Sequence, residues 1–191
     1  MERRATLALL SNPTFLSLWI ASNISNLGGL IQAVGAGWLM TSLATSNDMV
    51  ALVQSSTNLT LIVFPLQAGA LADNFDRRQI MIWAQVIMLA ISAVLAGLTY
   101  LGMMTPWLLL IFTLALGSSG ALYNPSWQAS VRDIVPRDDL PGAIGLNSMG
   151  FNLMSSVGPA LSGLIVAFAG TAAAYGVNAL TYIALIVALV L

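Results

Sequence analysis

Long uncharged apolar stretches alternate with three short charged segments along this chain. The charged segments are 2–4, 73–78 and 132–139, and Asp48 is the one charge outside them. Runs such as 80–100 and 107–116 are too apolar to leave in water. About 20 apolar residues span the hydrocarbon of a bilayer as a helix, and each gap between charged segments holds roughly two such lengths. The arginines therefore recur after every second crossing, as they do in loops that share the cytoplasmic side. The pattern predicts a cytoplasmic N-terminal segment, 1–14, then six spans at 15–40, 49–71, 80–101, 106–127, 143–169 and 172–191, with the N-terminus inside. Gly170 and Thr171 read as a tight outer turn. In lipid these spans must be helices, which satisfy their own N–H and C=O groups. The period-two alternation of a membrane β-barrel is absent. The fold class is all-α and polytopic.

Composition supports this reading. The 191 residues are 58% hydrophobic and 7% charged, where soluble domains carry about 25% charged residues, and mean hydropathy is +0.89. No basic stripe is present for nucleic acid. With no cysteine and no histidine, thiol chemistry, the usual general base and the commonest transition-metal ligand are missing. No metal or cofactor is expected. A cleaved signal peptide is disfavoured, because the apolar stretch behind Arg3 and Arg4 is too long for an h-region and further spans follow.

Small and polar residues supply the remaining detail. Ser156, Ala160, Gly163 and Ala167 form a seam of small side chains in the fifth span, and Gly29, Ala33 and Ala36 one in the first; both suit close helix approach. No ionisable residue falls within a span, so this chain offers no deep proton carrier. Neutral polar groups are the alternative lining of a cavity, and Asn23, Asn26, Gln54, Asn58, Asn124 and Asn152 are the candidates. Tyr123 and Trp127 are a further pair for its inner mouth. A substrate held this way meets hydrogen-bonding groups and apolar walls, and any fixed counter-charge is expected elsewhere.

The turn between the second and third spans carries the most specific signal. It reads Gly69-Ala-Leu-Ala-Asp73-Asn-Phe-Asp-Arg77-Arg78. Asp73 stands where a helix C-terminus disfavours an anion, so a compensating partner is expected: Arg77, Arg132, or the N-terminus of another helix. Gly-x-x-x-Asp-x-x-x-Arg-Arg resembles the signature loop of the major facilitator superfamily of secondary transporters. Asn74 and Asp76 depart from its fuller pattern, and the Phe-Asp-Arg-Arg form is similar to the bacterial efflux subgroup that includes the enterobactin exporter. Gly145, Gly158, Pro159 and Gly163 resemble the glycine-rich, Gly-Pro-containing motif of drug and metabolite antiporters, a span able to bend. The run from Tyr123 to Pro136 resembles the end of the subgroup's fourth span.

The resemblance implies two six-helix halves about a central cavity, of which this chain, still apolar at Leu191, would be the N-terminal one. It implies export of a small amphipathic molecule, such as a drug or siderophore-like metabolite, across the bacterial inner membrane by alternating access. The proton gradient, a C-terminal six-helix half and the lipid bilayer would be its partners, and Gly69, Asp73, Arg77 and Arg78 would form a gating loop. A half-length transporter acting as a homodimer and a non-transporting membrane subunit or scaffold are the alternatives. An intramembrane protease lacks its histidine or its paired intramembrane aspartates.

Because the chain lacks cysteine, single cysteines at Ser46 and Gln79 label without background. An impermeant thiol reagent added to intact cells should modify position 46 and spare position 79. The reverse pattern, or equal labelling, would end the six-span reading.

Overall fold

The computed structural model describes residues 9–44, 48–53, 55, 56 and 76–191. Gly69, Asp73, Gln54 and Asn58, and most of the N-terminal segment and of the second span, lie outside these residues.

Four long helices carry the described part. They are α1 (Pro13–Leu43), α2 (Arg77–Tyr100), α3 (Pro106–Ile134) and α4 (Leu140–Val190), with a short 3-10 turn, Arg137–Asp139, ahead of α4. Residues 48–53 are also helical. The starts follow from capping chemistry. Asn12 Oδ1 accepts from the N–H groups of Thr14 and Phe15, with Pro13 as the first helical residue. Asp76 Oδ1 accepts from Arg78 and Gln79 N–H. Thr105 Oγ1 accepts from Leu108 N–H, and Pro106 opens α3. Each cap fills one or two of the donors that a helix N-terminus leaves unmet. Asp76, a departure from the superfamily pattern, thus has a local structural task. At the other end of α2, Gly102 takes φ +69, and Met103 N–H reaches Leu98 O at 3.0 Å. That is a Schellman ending, with glycine at the left-handed position.

At 51 residues, α4 would be about 77 Å long if straight, far more than one bilayer crossing. Gly170 breaks it, with φ 80 and ψ 172, a conformation that L side chains rarely adopt. The contacts on either side show that the chain reverses there. Ahead of Gly170, Gly150 meets Asn23, and Gly158 meets Leu27 and Leu30. Ser162 Oγ donates to Ile31 O at 2.8 Å. This arm, 140–169, runs parallel to α1. Behind Gly170, Gly35 faces Ala174 and Gly28 faces Asn178 and Thr181, so the arm 171–190 runs antiparallel. Accordingly α1 lies between the two arms of a helical hairpin.

The other helices pack on the same post. Ser25 Oγ donates to Gln85 Oε1 at 3.5 Å and Ser92 Oγ to Gln32 Oε1 at 2.7 Å, so α2 runs parallel to α1 in constant register. Ser22 pairs with Tyr123 at 3.1 Å, while Met40 shares a cluster with Leu109 and Leu110, so α3 runs antiparallel. One apolar cluster, with Phe15, Met81, Trp127 and Leu185, lies toward the arginine-bearing end. The second, with Met40, Val53, Leu95, Leu109 and Tyr175, lies toward the opposite end. Asn178 Nδ2 donates to Gln32 Oε1 and to the Tyr182 hydroxyl, at 2.5 and 3.0 Å, and all of these residues are buried.

Arg77–Tyr100, Pro106–Ile134 and the continuous stretch Arg137–Val190 are long and apolar enough to cross a membrane. At 31 residues, α1 has the length of a span and carries Ser22, Asn23, Ser25, Asn26 and Gln32 along it. The exposed faces are apolar, as lipid requires. Trp83 near one end of α2 is 66% exposed and Tyr100 at the other 83%; about 25 Å of helix separates them, close to the thickness between the aromatic belts of a bilayer.

The seam proposed for the fifth span is placed differently. Ser156, Ala160, Gly163 and Ala167 are all exposed, and nothing lies within 4 Å of a Cβ built on Gly163. The face that meets α1 carries Gly150, Gly158 and Ser162 instead. Two residues of helix turn the chain by about 200°, so both faces are small and the sequence alone does not say which is used. In the first span the contact glycines are Gly28 and Gly35, whereas Gly29 meets nothing within 4 Å.

Two substitutions test this packing. Gln32→Leu removes the acceptor shared by Ser92 and Asn178 and should destabilise the helical bundle in detergent by about 1–2 kcal/mol. Gly158→Leu drives a side chain into Leu30 and should be worse, while Gly163→Leu should stay within about 0.5 kcal/mol of the parent. Thermal melts followed by circular dichroism give the ranking, and equal effects at 158 and 163 would refute it.

Candidate functional site

A cavity of about 600 Å³ opens between α1, α3 and the first arm of α4. Ser22, Asn23 and Asn26 line it from α1. Asn124, Trp127, Gln128, Val131 and Arg132 line it from α3, and Ile144, Asn147, Ser148, Phe151 and Asn152 from α4. Four of the six sequence candidates, Asn23, Asn26, Asn124 and Asn152, thus share one cavity.

The local sequence explains why these side chains converge. On α3, Asn124, Gln128 and Arg132 stand at i, i+4 and i+8, a single ridge on one face. On α4, Ile144, Ser148 and Asn152 form an equivalent ridge beside Asn147 and Phe151. Pro125 lies inside α3, where it withdraws one backbone donor from the ladder next to Asn124. Asn23 donates through Nδ2 to Trp19 O at 2.8 Å, and its amide packs against Gly150, where a Cβ would collide with it. Asn23 is therefore a helix-contact residue as well as a lining one. Trp127 is a buried wall of the cavity. Tyr123 is buried against Ser22 and is not among the lining residues.

Three lining residues carry signals that a reading by neutral amides within spans passes over. Gln128 lies just beyond the apolar run and Ser148 is small and common in helices. Arg132 reads from sequence as a loop charge, yet α3 continues through it, and its side chain borders the cavity. The expectation that any counter-charge must come from elsewhere is corrected here: a guanidinium stands at the mouth of this cavity.

The charged end of the bundle is tied together by the two arginines of the signature turn. Arg77 pairs with Asp133 at 2.5 Å, linking the start of α2 to the end of α3. Both side chains are well exposed, and such pairs contribute about 0–1 kcal/mol. Arg78 donates to Leu189 O and Val190 O, meeting carbonyls at the end of α4, where a cation also suits the helix dipole. Both arginines thus have partners among the described residues.

The antiporter-like motif is distributed over two faces. Gly158 is buried against α1, whereas Gly145, Pro159 and Gly163 are exposed. Among the residues of α4, Gly170 alone has non-helical backbone angles, so the helix runs unbroken through Pro159. Among the described residues no group of histidines, cysteines or carboxylates is placed to hold a metal ion.

Residues 4–191 match a protein family described as transmembrane secretion effector, a family of the major facilitator superfamily. The staphyloferrin A transporter of Staphylococcus aureus is 25% identical over 142 residues, covering 74% of this chain and 36% of the relative. Macrolide efflux protein A of Streptococcus pyogenes is 23% identical over 151 residues, covering 79% and 37%. The tetracenomycin C resistance and export protein of Streptomyces glaucescens is 28% identical over 176 residues, covering 92% and 32%. The chain spans about a third of the length of these relatives. No solved structure matches it significantly.

Proposed function

Since this chain belongs to the transmembrane secretion effector family of the major facilitator superfamily, a family of multi-pass membrane transporters and not of enzymes, we propose that it is the N-terminal half of an efflux permease. The permease exports a small amphipathic molecule, of drug or siderophore-like type, across the bacterial inner membrane by alternating access. Its N-terminus is cytoplasmic, its six spans follow the boundaries read from the sequence, and a C-terminal six-helix half and the proton gradient complete the machine. The finer likeness to the enterobactin exporter's subgroup rests on the Phe-Asp-Arg-Arg turn. Relatives named for a siderophore, macrolides and tetracenomycin C support the efflux reading.

The observation that carries this reading is the cavity of about 600 Å³ lined by amides, a tryptophan and a phenylalanine. Amides hold a polar group of a ligand without a fixed proton count, and the aromatic walls hold its apolar body. The cavity opens between helices, as transporter sites do. In this scheme Gly69, Asp73, Arg77 and Arg78 form the cytoplasmic gate, in which Asp73 latches to a cation or helix terminus while the cavity faces outward. A few kcal/mol is enough to shift such a two-state population.

Export by the full-length protein, normalised to the amount in the membrane, tests both parts. Asn124→Leu narrows the cavity and removes one amide, and should cut the export rate at least about fivefold at fixed substrate, chiefly through weaker binding of roughly 1 kcal/mol or more. Unchanged export would remove the cavity from the transport path. Asp73→Asn keeps the shape and deletes the charge, so it should leave insertion intact while slowing export; parent-like rates would reduce the turn to a topology signal.

A further inference from the structure

The lining of the cavity is electrically lopsided. Among the described residues it contains no carboxylate, and Arg132 is its one charged side chain. Asp133, the adjacent acid on α3, is turned to Arg77 and paired with it. Among the described residues that is the one ion pair, so Arg132 has no acidic partner among them within salt-bridge distance. Asp138 and Asp139 lie in the 3-10 turn before α4 and do not line the cavity.

Position adds direction to this imbalance. Arg132 is in the last turn of α3, one helical turn beyond Gln128 and two beyond Asn124 on the same ridge. The cavity therefore presents a guanidinium near the charged end of the bundle, amides further in, and Trp127 and Phe151 as apolar walls. A guanidinium is always charged, offers its N–H donors in a planar fork, and matches a carboxylate in two parallel hydrogen bonds. Beside low-dielectric walls, an uncompensated cation of this kind selects anions and disfavours cations.

Resting on the reading of this cavity as the transport site, we propose that Arg132 makes it an anion-recognising site, and that the exported molecule carries a carboxylate or similar planar anion beside an apolar or aromatic body. The guanidinium takes the anionic group, and Asn124 and Gln128 take its neighbouring polar atoms. The rest of the molecule lies between Trp127 and Phe151. The plain rival is that Arg132 merely fixes topology and complements the C-terminus of α3. That role predicts no preference among ligands.

A matched pair of probes separates the two: 2-naphthoate and 2-naphthamide, which share a ring system and differ by one charge. Binding to the purified full-length protein in detergent is measured by titration calorimetry. The parent should bind naphthoate about tenfold or more tightly than naphthamide, with the preference falling as salt is raised. Arg132→Gln should abolish the preference by weakening naphthoate far more than naphthamide, while Arg132→Lys should retain most of it. Equal binding of the two probes by the parent, absence of saturable naphthoate binding, or a preference that survives Arg132→Gln overturns the proposal. A gain in naphthoate affinity on Asp73→Asn also overturns it, since Arg132 would then be held in an internal pair. Asn124→Leu distinguishes the underlying reading: it should weaken both probes alike. If Asn124→Leu weakens both probes while Arg132→Gln leaves their ratio unchanged, the cavity stands and the anion site falls. If Asn124→Leu affects neither probe, the cavity itself is not the binding site and both ideas fall.

Discussion

A helix with amides along its length has nowhere to put them in lipid, and that constraint organises this bundle. The five polar residues of α1 between Ser22 and Gln32 each require a partner or a wet surface. Ser22, Ser25 and Gln32 find hydroxyl or amide partners on α3, α2 and the second arm of α4. Asn23 bonds its own helix, and Asn26 borders the cavity. To supply those partners the other helices must surround α1, with Gly28 and Gly35 letting the returning arm of α4 approach. Van der Waals packing alone would leave many orientations nearly equal, because lipid is as apolar as the side chains. The hydrogen bonds choose one register: Gln32 Oε1 accepts from both Ser92 and Asn178, locking three helices at one level.

Much of this was legible because charge and hydropathy act over whole segments. The alternation of arginine clusters with apolar runs gives the helices and their approximate ends, whereas the caps at Asn12, Asp76 and Thr105 emerge from the structure. Gly170 was readable as a turn because few other residues tolerate its backbone. What stayed hidden depends on side-chain direction. In the fifth span two faces carry small residues, and the exposed one has the more regular i, i+4 spacing. Contact falls on Gly150, Gly158 and Ser162 because α1 offers Leu27, Leu30 and a carbonyl there, which no local rule encodes. Asn23, Asn26, Asn124 and Asn152 were identified by polarity within apolar sequence, a signal that the cost of burying an amide makes strong. Arg132 was not, since a charge just past an apolar run looks like a loop until α3 is seen to extend through it.

The two basic clusters of the described chain thus do different things with the same chemistry. Arg77 and Arg78 are each engaged, one with Asp133 and one with carbonyls at the end of α4, and they hold the charged ends of three helices near one another. These contacts are exposed or part-buried, and exposed pairs of this kind have modest individual strength. A tightly desolvated ion pair there would resist any change of state. In the proposed alternating-access cycle, weak contacts at this end would let the rim exchange partners while hydrogen bonds deep in α1 hold the interior.

That division also accounts for where specificity can reside. The interior network of Gln32, Ser92, Asn178 and Tyr182 is bonded among its own members, so it contributes rigidity. The cavity amides are arranged otherwise: Asn124, Gln128, Asn147 and Asn152 face open volume, and their hydrogen-bonding capacity is available. Neutral amides accept and donate with equal ease, so they tolerate many polar shapes and discriminate weakly. On the proposal above, a single guanidinium at the edge of such a surface would change the balance, selecting by the sign of charge while the amides select by shape. Breadth of ligand shape and narrowness of ligand charge can then coexist in one site, the first set by α1, α3 and α4 together and the second by one residue in the last turn of α3.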